Sequence, residues 1–142
     1  MRRWGIKLAL VAAGLAMTAS AEAKHKPNAM RDMMRELGSA GLEGKELDAA
    51  ILKANKDPVG SKENPVRENM PKGEHDYLQR QRCPDSSVPT FSRSGSTAAG
   101  IYGNILDLYQ VQCPGMGPIS IYIDMYHDGP DDRPLPGFCI VP

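Results

Sequence analysis

The spacing of apolar residues changes partway along the chain, and this change limits the possible folds most strongly. In the N-terminal third, apolar residues recur at positions i, i+3, i+4 and i+7, as in a helix with one apolar stripe. From Glu74 onward they tend to alternate with polar residues, as in strands that bury one face. Helical and strand patterns in separate blocks of one short chain predict an α+β protein.

Two helices are predicted in the N-terminal third. The first follows the capping residue Asn28 and stops at Gly38, and the second ends at Asn55. We expect their stripes to pack on each other or on the sheet: Met30, Met33, Met34 and Leu37 in the first helix, and Leu47, Ala50, Ile51 and Ala54 in the second. The three methionines, with His25 nearby, also permit a copper site, because thioethers favour Cu(I).

Four strands are predicted after a turn-rich segment, residues 55–73. They cover residues 74–83, 90–95, 105–113 and 119–126. A flexible segment is expected at residues 96–103, and the proline-rich end of the chain is expected to be extended. The predicted fold is therefore a helical pair followed by a small antiparallel sheet of about four strands, held by one disulfide.

Residues 1–23 have the three parts of a secretory signal peptide. Arg2, Arg3 and Lys7 precede an apolar run of ten residues, and Ala21-Glu22-Ala23 fits the rule for signal cleavage. The apolar run is shorter than the roughly 20 residues that a membrane-spanning helix needs. The prediction is a periplasmic or secreted protein cleaved near Ala23, and an uncleaved N-terminal anchor is the alternative.

The mature chain is expected to form one domain, with a helical segment at residues 24–59 and a β-rich part at residues 60–142. Its 14 basic and 16 acidic residues, left after three basic residues and one acidic residue leave with the signal, give a net charge near −2. This balance argues against a nucleic-acid partner. The sequence indicates no cofactor and no particular partner, although export would allow another envelope protein to be one.

Three cysteines remain in the mature chain. Cys83 and Cys113 each end a predicted strand and are each followed by proline, so they form the favoured disulfide in an oxidising compartment. Cys139 is then a free thiol, which is either a small buried apolar residue or a partner for another chain.

Several short motifs in residues 60–140 resemble those of small exported bacterial proteins of unknown function. They are Gly60-Ser61-x-x-Asn64-Pro65-Val66-Arg67, Tyr77-Leu78-x-Arg80-x-Arg82-Cys83, Tyr102-Gly103-Asn104-Ile105, Asp124-Met125-Tyr126-His127 and Pro136-Gly137-Phe138. The resemblance implies a single exported domain and carries no catalytic or binding residue with it.

The end of the last predicted strand is the strongest candidate for a chemical site. His127 with Asp124 or Asp128 could serve as a general base. Carboxylates at Asp128, Asp131 and Asp132 could instead bind a hard cation. The same residue types are also common in ordinary turns.

Two further groups of charged residues stand out in the sequence. Arginine forks suit carboxylates and phosphates, and the candidate anion-binding residues are Arg67, Arg80, Arg82 and Arg93, with Tyr126 as a further ligand-binding candidate. Arg80 and Arg82 are expected to share one face of the strand at residues 74–83. Glu74-His75-Asp76 lacks the spacing of a zinc site and is expected to be a solvated strand start.

Two functional hypotheses follow. The first is an exported binding protein without catalytic activity, associated with the cell envelope. The alternative is a small hydrolase or metal-dependent enzyme that uses His127 with neighbouring aspartates. The second requires His127 and at least two carboxylates to converge in one pocket.

Overall fold

The structure is a computed structural model that describes residues 28–38 and 40–142. The described residues form three helices and six strands. In chain order these are α1 (Ala29–Glu36), α2 (Gly44–Ala54), β1 (Val66–Arg67), α3 (Met70–Arg80), β2 (Gln81–Arg82), β3 (Thr90–Ala99), β4 (Ile105–Gln112), β5 (Ile119–Asp124) and β6 (Cys139–Ile140). The predicted signal peptide and His25 lie outside the described residues.

The main sheet has four strands in the order β1-β5-β4-β3. The pairs β3–β4 and β4–β5 are antiparallel, whereas β1 runs parallel to β5 with Val66 opposite Ile123. The predicted α+β fold with a four-stranded sheet and one disulfide is confirmed. The sheet is mixed rather than purely antiparallel, because β1 enters it from the turn-rich segment that was expected to contain only loop.

One face of this sheet carries the core. Residues two apart on a strand point to the same face, so the alternation predicted for residues 105–113 and 119–126 brings the large side chains together. The buried cluster consists of Val66, Tyr77, Leu78, Tyr109, Val111, Ile121, Ile123 and Leu135. Strand, helix and C-terminal tail therefore all contribute to one core.

The strand predicted at residues 74–83 is wrong for most of its length, because α3 occupies residues 70–80. Glu74, Tyr77 and Leu78 are buried and lie at helical spacing, whereas His75 and Asp76 between them are exposed. The alternation was misleading because the buried residues fit i, i+3 and i+4. Arg80 ends the helix and Arg82 lies in β2, so the two do not share a strand face.

The disulfide between Cys83 and Cys113 joins the chain just after β2 to the end of β4, with Cα atoms 5.8 Å apart. Beside it, β2 pairs with β6, which places Arg82 opposite Cys139. Cys139 is an exposed free thiol, so the prediction of a buried small residue is wrong. The short β6 strand offers it no covering layer.

The two N-terminal helices are only partly buried. No residue of α1 is buried, and Ala54 is the buried residue of α2. Of the other stripe residues, Met33 and Leu37 are 48% and 68% exposed and the rest are half-buried. The stripes that predicted both helices therefore contribute little to the core.

Candidate functional site

His127 and Asp124, two residues of the candidate site, lie together at the end of β5. His127 Nε2 is 3.2 Å from Asp124 Oδ2, and both side chains are buried. Asn104 donates from Nδ2 to the same carboxylate at 3.1 and 3.3 Å, and the Tyr126 backbone N–H donates to Oδ1 at 3.0 Å. The Tyr102 ring meets the His127 ring edge-on, with centroids 4.9 Å apart.

The backbone holds His127 in place from both sides. Its N–H donates to the Glu68 carbonyl, and its carbonyl accepts from Asn28 Nδ2 at 2.8 Å. An ordered imidazole beside a carboxylate is the arrangement that a general base uses. However, His127 Nε2 and Tyr102 Oη have no hydrogen-bond partner in the described part of the chain. The close approach of His127 to Asp124 is thus not an aligned catalytic hydrogen bond.

The three aspartates proposed as metal ligands each face a different arginine. Asp128 pairs with Arg31 at 2.8 Å, and Asp132 pairs with Arg80 at 2.7 Å. Asp131 forms a buried pair with Arg133. Residues 28–38 and 40–142 contain no group of three or more histidine, cysteine or acidic side chains arranged to hold a metal ion.

Asp131 has its charge stabilised inside the protein. Burial raises the pKa of this carboxyl, but hydrogen bonds and charge attraction from Arg133 outweigh the effect and leave its pKa lowered. Arg133 also donates to Asn64 Oδ1 at 2.9 Å, and its carbonyl accepts from Tyr77 Oη at 2.8 Å. This network fastens the C-terminal tail to β1 and α3.

The arginines proposed as an anion site do not converge. Arg80 donates to the Asp131 carbonyl and to Asp132, and Arg82 donates to carbonyls in its own turn. Arg67 lies on β1 opposite Asp124, and Arg93 binds Asp107. Tyr126 is half-buried, and burial followed by the charges of Asp107, Asp124 and Glu74 raises the pKa of its hydroxyl.

A second buried polar cluster was missed by sequence reasoning. Glu74 of α3 is fully buried and accepts a hydrogen bond of 2.9 Å from Tyr109 Oη. Asp107 lies beside it and binds Arg93 through two hydrogen bonds. Burial raises the pKa of Glu74 to about 8. Reading residues 70–80 as a helix would have placed Glu74 on the buried face.

The longest strand lies at an edge of the main sheet. β3 pairs with β4 alone, and most of its residues are exposed. Its register is regular over Thr90–Arg93 and then shifts before Gly95 and again before Ala99. A shallow depression of about 170 Å³ adjoins the regular part, lined by Thr90, Phe91, Ser92, Gln110, Gln112 and Pro118. The segment expected to be flexible, residues 96–103, thus begins as strand.

Comparison with known proteins gives no further identification. No family model, curated protein or solved structure matches this chain. Among the described residues, no helix is both long enough and apolar enough to cross a membrane. Functional assignment therefore rests on the geometry of the chain itself.

Proposed function

We propose that this chain is an exported protein that binds an envelope component without catalysing a reaction, and that the partner adds an extended segment to the free edge of β3. The observation that carries the proposal is this long, exposed edge strand. The Cys83–Cys113 disulfide supports export, because such bonds persist in oxidising compartments. The signal-like residues 1–23, and motifs that resemble those of small exported proteins, support the same compartment.

An edge strand presents backbone N–H and C=O groups that another extended chain can pair with. In β3 the regular stretch Thr90–Arg93 is long enough to form several such bonds. Its one charged side chain, Arg93, is held by Asp107. The neighbouring depression is lined mainly by polar side chains, so it suits a polar side chain of the added segment.

A photo-crosslinking side chain at Ser94, an exposed residue on β3, tests the edge in the cells that produce the protein. We expect a discrete adduct with an envelope component, and peptide mapping should place the crosslink in an extended segment of the partner. Ser92→Lys should abolish the adduct, because a lysine on an edge strand opposes strand pairing.

Ser120→Lys is the matched control. Ser120 and Ser92 flank Gln110 in the same row of the sheet, but Ser120 lies on β5, two strands away from β3. An adduct that survives Ser92→Lys, or that is lost equally in Ser120→Lys, would contradict binding at the edge.

Mass spectrometry of the protein from the cell envelope tests the export part of the proposal. We expect a mature chain that starts at Lys24 and carries one disulfide between Cys83 and Cys113. A chain that retains residues 1–23 and has three free thiols in the cell would rule out the assignment.

The contact between His127 and Asp124 favours one alternative function, a small hydrolase. Hydrolysis of a chromogenic ester by the purified protein should then disappear in His127→Gln and persist in Asp132→Asn, whose carboxylate is exposed and pairs with Arg80. Equal rates for the wild type and His127→Gln would reject the hydrolase. A metal-dependent enzyme has less support, because each candidate aspartate faces its own arginine.

A further inference from the structure

Glu74, Asp107 and Arg93 form a polar chain that links three elements of the fold. Glu74 belongs to α3, Asp107 to β4 and Arg93 to the edge strand β3. Asp107 Oδ2 accepts from Arg93 Nε at 2.7 Å, and Asp107 Oδ1 accepts from Arg93 Nη2 and from Ser96 Oγ, each at 2.9 Å. Three donors, two of them from a guanidinium, therefore satisfy the Asp107 carboxylate.

Glu74 has the opposite surroundings. It is 0% exposed, and its Oε2 receives one neutral hydrogen bond, from Tyr109. Its Oε1 has no hydrogen-bond partner among the described residues, and the nearby negative charge of Asp107 disfavours a second charge here. A buried charge without a cation is strongly unfavourable. Glu74 therefore carries a proton in the folded protein.

We propose that a proton on the buried Glu74 carboxyl allows α3 to pack on the β3–β4 side of the sheet, and that loss of this proton loosens the helix from the sheet. Ionisation would place two adjacent negative charges against one arginine. The repulsion between these charges is relieved only if water enters the cluster or if Glu74 moves outward together with its turn of α3. This role of the Glu74 proton concerns the packing of the fold and does not depend on what binds the β3 edge.

The other titratable groups around Glu74 are consistent with a neutral Glu74 carboxyl. Tyr109 of β4 donates to it, and Tyr126, after β5, has its pKa raised in part by the charges of Glu74 and Asp107. His75 of α3 contacts the Tyr109 ring edge-on. Arg93 is the cation of the cluster, and its bonds go to Asp107 and Ser96 rather than to Glu74.

NMR of the side-chain carboxyl carbons in the full mature chain tests whether the Glu74 proton controls the packing of α3. We expect the Glu74 carboxyl to titrate with a midpoint of about 8, and the amides of Gly73 to Leu78 to shift with the same midpoint. Glutamine has nearly the shape of a protonated glutamate and does not titrate, so the amide transition should vanish in Glu74→Gln. Glu63→Gln, at an exposed glutamate, is the control and should keep it.

Asp107→Asn provides a second variant if Glu74→Gln does not fold. It removes the neighbouring negative charge, so the midpoint of Glu74 should fall. A Glu74 carboxyl already ionised at pH 6, or α3 amides that stay unchanged while Glu74 titrates, would overturn the proposal.

Discussion

Glu68 shows how strongly position in the fold changes an ordinary side chain. It follows β1, is 2% exposed, and accepts a hydrogen bond of 2.9 Å from the Asp131 N–H. Gly73 and Gly129 make room for it, since a Cβ built on Gly73 would be 2.8 Å from Glu68 Oε2. Burial is the main cause that raises the pKa of Glu68 to about 7.

Glu68→Gln should remove a pH dependence of stability. The folded protein keeps the Glu68 proton up to a pKa of about 7, whereas the unfolded chain loses it near 4.5. Between these values the folded state binds more protons, so this group makes the free energy of unfolding fall as pH rises. The slope is at most about 1.4 kcal/mol per pH unit.

Urea unfolding from pH 4.5 to 8 measures this effect. The difference in free energy of unfolding between wild type and Glu68→Gln should decline with rising pH, whereas Glu63→Gln should run parallel to wild type. A constant difference across the range would show that folding does not raise the pKa of Glu68.

The approach of His127 to Asp124 did not follow from the strand pattern, because residues three apart on a strand point to opposite faces. The two side chains meet because β5 ends at Asp124 and the chain turns before His127. The sequence did not indicate their remaining partners either. Asn104 and Tyr102 come from the turn before β4, and Asn28 comes from the start of α1. Such contacts depend on how distant segments are brought together, which local spacing does not record.

At the scale of elements, α1 depends on a few polar contacts rather than on burial. Asn28 caps the helix by accepting from the Arg31 N–H at 2.9 Å, and its Nδ2 donates to the carbonyls of Met125 and His127 at 2.7 and 2.8 Å. Arg31 adds an ion pair with Asp128. One side chain thus both starts the helix and attaches it to the end of β5.

Asn28→Ala should release α1 and leave the sheet intact. Loss of a capping side chain costs about 1 kcal/mol, and this variant also loses both bonds to β5 and the following turn. Hydrogen exchange should show α1 amides losing protection while those of β4 and β5 keep theirs. Arg35→Ala, which removes exposed pairs at the far end of α1, is the control. Uniform loss of protection in Asn28→Ala would contradict this local role.

At the scale of the whole molecule, the disulfide ties the segment after α3 and β2 to the central strand β4. The two cysteines are 30 residues apart in the sequence. Replacing both by alanine should lower the free energy of unfolding by about 3–4 kcal/mol, because the unfolded chain regains the freedom of that loop.

Denaturant unfolding of Cys83→Ala/Cys113→Ala measures this loss. Cys139→Ala is the matched control and should unfold like the wild type, because its thiol is exposed and unpaired. Equal stability of all three proteins would mean that the bridge does not constrain the unfolded chain.

The sequence alone determined the α+β class, both N-terminal helices, strands β4 and β5 and the Cys83–Cys113 pairing, because each depends on local periodicity or on cysteine positions. The tertiary structure decided the rest. It made residues 70–80 a helix, since burial of Glu74, Tyr77 and Leu78 on the sheet outweighs a weak alternation. It inserted β1 parallel to β5, and it gave each candidate aspartate its own arginine. Pairing between distant segments sets these features, because a side chain's environment depends on which surfaces meet and local spacing does not specify them.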